Sequence, residues 1–408
     1  MNPLPTRRSF ILAAGTAAAS VIAGSVATGF PANETLNVGV IGTGGRARHL
    51  MKSFPKLDKV RIAGVCDVWD VALAEGKKLA DPQAFATKEY RELLNRKDIH
   101  AVLIGSPDHW HVPLTVAACL AGKDVYVEKP LTHDLSEAKA VLEAQAASKA
   151  IVQVGAQQRS MPHIAKAREL VRAGRIGKVL KVRTSWNRNS ERVRRFPLGV
   201  DPKSVDWKAF LGTAKDQPFD EYRFRNWRWF WDFGGGLLTD LMVHWIDVAH
   251  WVLDLDDTHP QSAVSVGEHF TSKDVWETPD TVQTLISYPG GIQIHFEGTF
   301  SNANRGAHIE FLGTDASLYV DRGRFELVPE RNRKLEAMEE IASTEPKHRG
   351  ADFYDRPDGE LLHLTNWNEC IRTRKEPVDP VRAGVAAAAA AHLANRALRT
   401  GQTAVWKG

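Results

Sequence analysis

Past an unusual N-terminus, short apolar runs alternate with stretches whose apolar residues recur at helical spacing. Leu36 to Ile41 (LNVGVI), Val60 to Cys66, Ala101 to Ile104 and Asp124 to Val127 read as strands. Segments 46–54, 71–79, 90–95 and 113–121 read as helices. Strands separated by helices predict a parallel, doubly wound sheet. After residue 155 the pattern changes, and 263–268, 281–288, 292–300 and 308–311 form β-rich runs. From Asn366 onward, through the alanine run Ala386 to Ala391, the chain reads as helical again.

Length and composition fit this division. A chain of 408 residues with 43% apolar and 25% charged residues is globular and too long for one ordinary core. The first thirty residues, MNPLPTRRSFILAAGTAAASVIAGSVATGF, place Arg7 and Arg8 ahead of a weakly apolar run of small residues, the architecture of an export signal. Thr6 to Ile11 (TRRSFI) resembles the twin-arginine signal that exports folded proteins, so the chain is expected in the periplasm or otherwise outside the cytoplasm, with the twin-arginine machinery as a partner. Cleavage is expected after Ala27. A retained membrane-anchoring helix is the alternative, disfavoured by the Gly, Ala, Ser and Thr content. The formal charge of +4 falls to about +2 once two arginines are removed, and no nucleic-acid partner is called for. Cys66, Cys119 and Cys370 lack the close spacing of a zinc site or disulfide framework and read as buried small hydrophobes.

The first strand runs into Gly42-Thr43-Gly44-Gly45-Arg46-Ala47, the G-x-G-x-x-A form of a phosphate-binding turn, with a helix to follow. Glycines let the backbone approach a pyrophosphate, and the helix N-terminus directs N–H groups and positive dipole at it. Asp67 closes the second strand about twenty residues on, where a carboxylate accepts hydrogen bonds from ribose hydroxyls and repels a 2′-phosphate. NAD is therefore expected in preference to NADP. The competing reading of Asp67 is a cap for the next helix.

Two further segments sit at strand ends, where open parallel sheets bind ligands: Gly105-Ser106-Pro107-Asp108-His109-Trp110-His111 and Glu128-Lys129-Pro130. With the phosphate turn and Asp67 they resemble the glucose-fructose oxidoreductase, inositol dehydrogenase and rhizopine catabolism family, Gfo/Idh/MocA. The resemblance covers essentially the whole chain after the signal. It implies a Rossmann domain over 34–155 and a substrate and oligomerisation domain over 156–365. That second domain is α+β, built on a large open, mostly antiparallel sheet, with C-terminal helices over 366–408 and a signal plus linker over 1–33. It implies that Lys129 lies beside the nicotinamide and the substrate hydroxyl, and that Asp240 and His244 complete the catalytic site. Ser106, Pro107, Asp108, His111, Glu128 and Gln157 are implied cofactor contacts, and Arg159, beside Gln157, becomes a substrate candidate. A homo-oligomer, dimer or tetramer, is also implied.

The residues say independently what such a site can do. On a helix Asp240 and His244 would stack on one face, four residues apart. Oxidising a secondary alcohol moves a hydride from carbon and a proton from oxygen, so a base must reach the hydroxyl. His244 is favoured as acceptor, with Lys129 polarising the oxygen and Asp240 orienting both; the alternative is a structural ion pair beside a core histidine. A metal held by Asp240, His244, Asp247 and His250 is a weaker reading, since neither H-E-x-x-H nor a cysteine pair occurs. Upstream lies NWRWFWDFGGG, Asn226 to Gly236. Trp faces stack well on sugar rings, so Trp227, Trp229, Trp231 and Trp110 are substrate candidates, the first three sharing one side if the segment is extended. The expected activity is NAD-dependent oxidation of a sugar, polyol or glycoside. The runner-up is an NAD-dependent glycosidase working by transient oxidation, elimination and re-reduction, and third is a non-enzymatic sugar- or NAD-binding protein.

Overall fold

The computed structural model describes residues 30–190, 193, 198–343 and 357–407. The stretch expected to be an export signal lies outside these residues, as do 191–192 and 194–197, within and just after the arginine-rich stretch Arg188 to Arg195. Among the described residues no helix is long and apolar enough to cross a membrane.

The first sheet contains β1 (Leu36–Ile41), β2 (Val60–Cys66), β3 (Phe85–Thr87), β4 (Ala101–Ile104), β5 (Asp124–Val127) and β6 (Val152–Val154), all parallel, in the order β3-β2-β1-β4-β5-β6. Every residue of β1 is buried, as a strand covered by helices on both faces requires. The crossovers carry α1 (Gly45–Met51), α2 (Asp70–Leu79), α3 (Tyr90–Leu94), α4 (His111–Leu120) and α5 (Ala138–Ser148). The order turns around between β1 and β4, which places the switch-point crevice where the phosphate turn leaves β1.

The second sheet joins β7 (Val179–Asn187), β8 (Ser262–Glu268), β9 (Thr281–Ser287), β10 (Gln293–Thr299), β11 (Ala307–Gly313), β12 (Ala316–Val320), β13 (Arg324–Pro329), β14 (Met338–Ile341) and β15 (Ala404–Val405) in the order β14-β13-β12-β11-β7-β10-β9-β8-β15. It is antiparallel except for the β7–β10 pair. One face packs on α6 (Pro162–Arg172), α9 (Val243–Leu253) and α11 (Val381–Thr400); the short helices α7 (Trp207–Leu211) and α8 (Glu221–Arg225) precede the tryptophan loop. Strand alternation is clean in β9, where Val282, Thr284 and Ile286 are buried and Gln283 and Leu285 are exposed.

The C-terminal segment differs from its expected boundary. Its first helix, α10, spans Gly359–Thr373, and Leu364, Trp367 and Ile371 pack into the core of the first domain beside Val38 and Tyr126. α11 joins the two cores: Val381 and Val385 pack in the first domain, while the buried run Ala386–Ala391 and the residues after it, with Ala404 of β15, lie in the second. Chain order and spatial domain therefore part company at residue 359. The three cysteines are buried and unbonded, and burial raises the thiols of Cys119 and Cys370 to about 12 and about 11.

Candidate active site

The phosphate turn begins at Gly42, whose φ of +80° suits glycine and whose absent Cβ would lie 2.6 Å from the Ser106 backbone nitrogen. Gly44 caps α1 without help from any side chain, and a Cβ on Gly44 or Gly45 would meet nothing within 4 Å. The first N–H groups of the helix thus face open space of the kind a pyrophosphate fills. Beside them the Ser106 hydroxyl is buried with no partner among the described residues. Both features fit a dinucleotide.

Asp67 closes the turn. Its Oδ2 accepts from the Thr43 backbone N–H at 2.7 Å, and its Oδ1 accepts from that of Trp69 at 2.9 Å. Burial raises this carboxyl, and the same hydrogen bonds oppose the rise. The N-cap of α2 is Trp69, so Asp67 does not cap that helix. It ties the phosphate turn to the end of β2, with acceptor lone pairs left over.

Lys129 leaves the end of β5 just before a cis Lys129–Pro130 peptide. Its Nζ donates to the Asp240 carbonyl oxygen at 2.6 Å and to Asp240 Oδ1 at 2.9 Å. Arg228 Nε reaches the same carboxylate oxygen at 3.2 Å. Asp240 does not sit on a plain α-helix: Leu238–Met242 form a π-helical turn leading into α9, where His244 lies. Such turns recur at functional sites, and this one lets a single ammonium reach both backbone and side chain of Asp240. His244 answers elsewhere. Its Nδ1–H donates to Gln158 Oε1 at 3.2 Å, and its ring lies 5.0 Å from that of Trp186. Burial, reinforced by Lys129 and Arg322, holds His244 well below the ordinary imidazole range, so it is neutral with Nε2 as its free acceptor.

Around this trio, Asp108 is pushed well above the carboxylate range by burial, against the pull of Lys129 and Arg228. The ring nitrogens of His111 lie 2.6 Å from the Pro130 carbonyl oxygen and 3.0 Å from that of Ser106, so it braces the two loops from behind. Glu128 and Gln157 turn their side chains to Arg46, whose Nε donates to Glu128 at 2.7 Å and whose Nη2 reaches Gln157 at 3.5 Å.

Several substrate candidates prove structural. Arg159 is 2% exposed and donates to both oxygens of Asp247 and of Asp256 at 2.7–2.8 Å; a guanidinium so engaged has nothing to offer a ligand. Trp229 is 3% exposed and stacks on Trp276 at 4.3 Å. Trp227–Trp229 form one 3-10 turn, so strand alternation does not apply to them. Trp227 and Trp231 are half-buried, under Arg228 at 4.2 Å and Arg399 at 4.9 Å. Trp110, half-buried, donates Nε1–H to the Phe210 carbonyl at 2.8 Å and faces the second domain's 207–212 segment. The glycines do turn the chain: Gly236 has φ +65°, and Gly234 presses on the Arg228 backbone, where a Cβ would lie at 2.9 Å. Of the residues considered for a metal, Asp247 is bound to Arg159, His250 to the Tyr288 hydroxyl and His244 to Gln158. Sequence reasoning missed Gln158, Arg228 and Trp186. Gln158 adjoins Gln157 and Arg228 lies within the tryptophan loop, but nothing local marks either as a neighbour of His244 or Asp240.

A family model described as oxidoreductase family, NAD-binding Rossmann fold, matches residues 36–156, and the GFO/IDH/MocA C-terminal domain matches 164–319. The chain is 25% identical over 321 residues to a levoglucosan dehydrogenase of Pseudarthrobacter phenanthrenivorans, covering 71% of this chain and 75% of that one. It is 32% identical over 153 residues to glycosyl hydrolase family 109 protein 2 of a Shewanella species, but that match spans only about a third of either protein, 32% and 34%. In three dimensions it superimposes on levoglucosan dehydrogenase in complex with NADH with a TM-score of 0.69 at 20% identity, covering 91% of this chain and 99% of that one. With two models of one family following each other along both domains, the chain belongs to the Gfo/Idh/MocA family of NAD-binding oxidoreductases.

Proposed function

We propose that the protein oxidises a secondary hydroxyl of a sugar, polyol or glycoside, with Lys129, Asp240 and His244 handling the proton. Bound NAD supplies the hydride acceptor. The chain's own residues do the rest. Lys129, anchored by the carboxylate and carbonyl of Asp240, presents an N–H to the substrate oxygen and favours negative charge there. His244, neutral and oriented by Gln158, accepts the hydroxyl proton at Nε2. Arg228 fixes the Asp240 carboxylate from the other side. The observation that carries this reading is the pairing of a doubly anchored ammonium with a neutral, oriented imidazole beside the phosphate turn. On the same reading Gly42 to Ala47, Ser106 to Asp108 and Asp67 hold the cofactor, and Trp110 and Trp227 are the aromatic surfaces left for substrate, because Trp231 lines a separate cavity.

Export by the twin-arginine route and assembly as a homo-oligomer belong to the same proposal. An exported enzyme must carry its nicotinamide with it, so tight retention of NAD is expected. The similarity to a glycosyl hydrolase favours a second reading, in which the same groups oxidise a glycoside transiently, eliminate the aglycone and restore the hydroxyl. One experiment separates the two. Protein purified without added cofactor is analysed for bound nicotinamide, then incubated with free sugars and aryl glycosides, with and without external NAD. Turnover that requires external NAD supports a dehydrogenase; aryl glycoside cleavage on retained cofactor alone supports the second reading; neither activity across the panel defeats the first.

A further inference from the structure

A second cavity of about 940 Å³ is lined by the Trp231–Gly235 loop, the His133–Ser136 segment after β5 and the last two turns of α11. That volume suits a ligand of disaccharide size. No lining residue belongs to the catalytic trio or the phosphate turn.

Its chemistry is specific. Asn395, 7% exposed, donates through Nδ2 to the Gly235 carbonyl at 2.9 Å, while its Oδ1 is buried without a partner among the described residues. A buried acceptor left this way costs stability unless something fills it. Trp231 supplies an aromatic wall, and the hydroxyls of Ser136, Thr213 and Thr400 lie on the lining. An aromatic face among hydroxyl and amide groups recognises a ring that is apolar on its faces and hydroxylated at its edge, which is a carbohydrate. Positive charge is in excess. Asp232 is paired with Arg223, and Asp134 accepts from the Ser136 N–H and hydroxyl and keeps its charge. Lys215, Arg396 and Arg399 form no ion pair with any described residue, leaving three cations on one lining.

We propose that this cavity is a second ligand site, distinct from the nicotinamide cleft, for a carbohydrate bearing a carboxylate. The ring packs on Trp231, a ring hydroxyl donates to Asn395 Oδ1, and the carboxylate meets Arg396, Arg399 and Lys215. The site does not depend on which reaction the cleft performs. It does share a loop with it, because Gly234 presses on the backbone of Arg228, whose guanidinium holds Asp240.

Calorimetric titration of the purified protein with D-glucuronate, D-glucose and glucose 6-phosphate tests this in the wild type, the Arg396→Ala/Arg399→Ala double variant and Asp240→Asn. Both arginines are exposed, so the double variant is expected to fold. Glucuronate should bind the wild type, glucose at least about tenfold more weakly, and the double variant should lose about tenfold or more of the glucuronate affinity. Asp240→Asn should bind glucuronate as the wild type does. Four results would overturn the site: no heat from glucuronate, equal binding of glucose, tighter binding of the phosphate ester, or loss in Asp240→Asn with retention in the arginine double variant. The last would move the ligand to the cleft while leaving the oxidoreductase reading intact.

Discussion

At the scale of single residues, the site depends on who holds whom. Lys129 is anchored twice by Asp240, and His244 is turned by Gln158, so the two groups proposed to handle the proton are fixed from different elements. Lys129→Ala and His244→Ala should each leave NAD bound while slowing single-turnover reduction of bound NAD by about 10²-fold or more. If they share one proton path, the double variant should be little slower than the poorer single one; near-wild-type rates in either single variant would remove that residue from the chemistry. Gln158→Ala should act through His244, lowering kcat about tenfold or more with little change in KM and shifting the pH profile, which a packing defect alone would not do. At the other end of the cleft, Asp67→Ala should weaken NAD binding by about 1–3 kcal/mol and relax discrimination against NADP. Unchanged titrations with both cofactors would take Asp67 out of the site. Lys129, Asp240, His244 and Asp67 could be named as candidates from the sequence because each sits in a short motif. Gln158 and Arg228 were not, because their roles exist only after distant elements meet. Arg159 misled for the same reason, since its carboxylate partners lie 88 and 97 residues away in sequence.

At the scale of elements, the segment before α7 reaches back across the domain boundary. Val205 forms a β-bridge with Trp69, the Asp206 N–H donates to the Val68 carbonyl at 2.8 Å, and Trp69 Nε1–H donates to Ser204 Oγ at 3.2 Å. Phe224 packs edge-on to the Trp69 ring at 5.5 Å, and Arg225 lies over it at 4.8 Å. Trp69 stands two residues after Asp67, so the second domain is strapped to the turn proposed to receive the adenosine half of NAD. A strap of this kind slows release, because the cofactor leaves only when those contacts open. Trp69→Ala should therefore speed NAD dissociation by about tenfold or more, followed by nicotinamide fluorescence after dilution or chase, with the Rossmann core unaffected. An unchanged off-rate would show that the strap does not govern NAD release. No sequence signal marks this strap, since a bridge between residues 69 and 205 has no periodicity. The alternating helices and strands of the first domain do, and β1, β2, β4 and β5 appear at their expected positions. β3, with three residues, and β15, with two, are too short to carry a pattern.

At the scale of the whole molecule, burial has left many histidines neutral, and this sets the response to acid. Burial lowers His109 and His363 to about 4 and His250 to about 3, and pushes His244 well down as well. His100, His111, His163, His295, His308 and His392 move the same way. In the unfolded chain each returns to about 6.5. Between the folded and unfolded values the unfolded chain binds more protons, so this stability is complete above about pH 6.5 and is lost as pH falls toward 4. Buried carboxyls oppose it: Asp108 and Asp379 are pushed well up, and Asp67, Asp124 and Asp247 are raised. The folded state keeps their protons above the unfolded value of about 3.9, which favours folding as pH falls. The histidines outnumber them, so the net slope should be destabilising by about 1.4 kcal/mol per pH unit for every proton of the difference. The midpoint of urea unfolding should accordingly fall from pH 6.5 to pH 5.5 and again to pH 4.5. His109→Gln, which keeps a polar side chain toward the Phe210 carbonyl that His109 Nε2 meets at 2.8 Å, should flatten that fall by about one proton's worth. A midpoint that held steady or rose on acidification would show that the carboxyls, not the histidines, govern the balance.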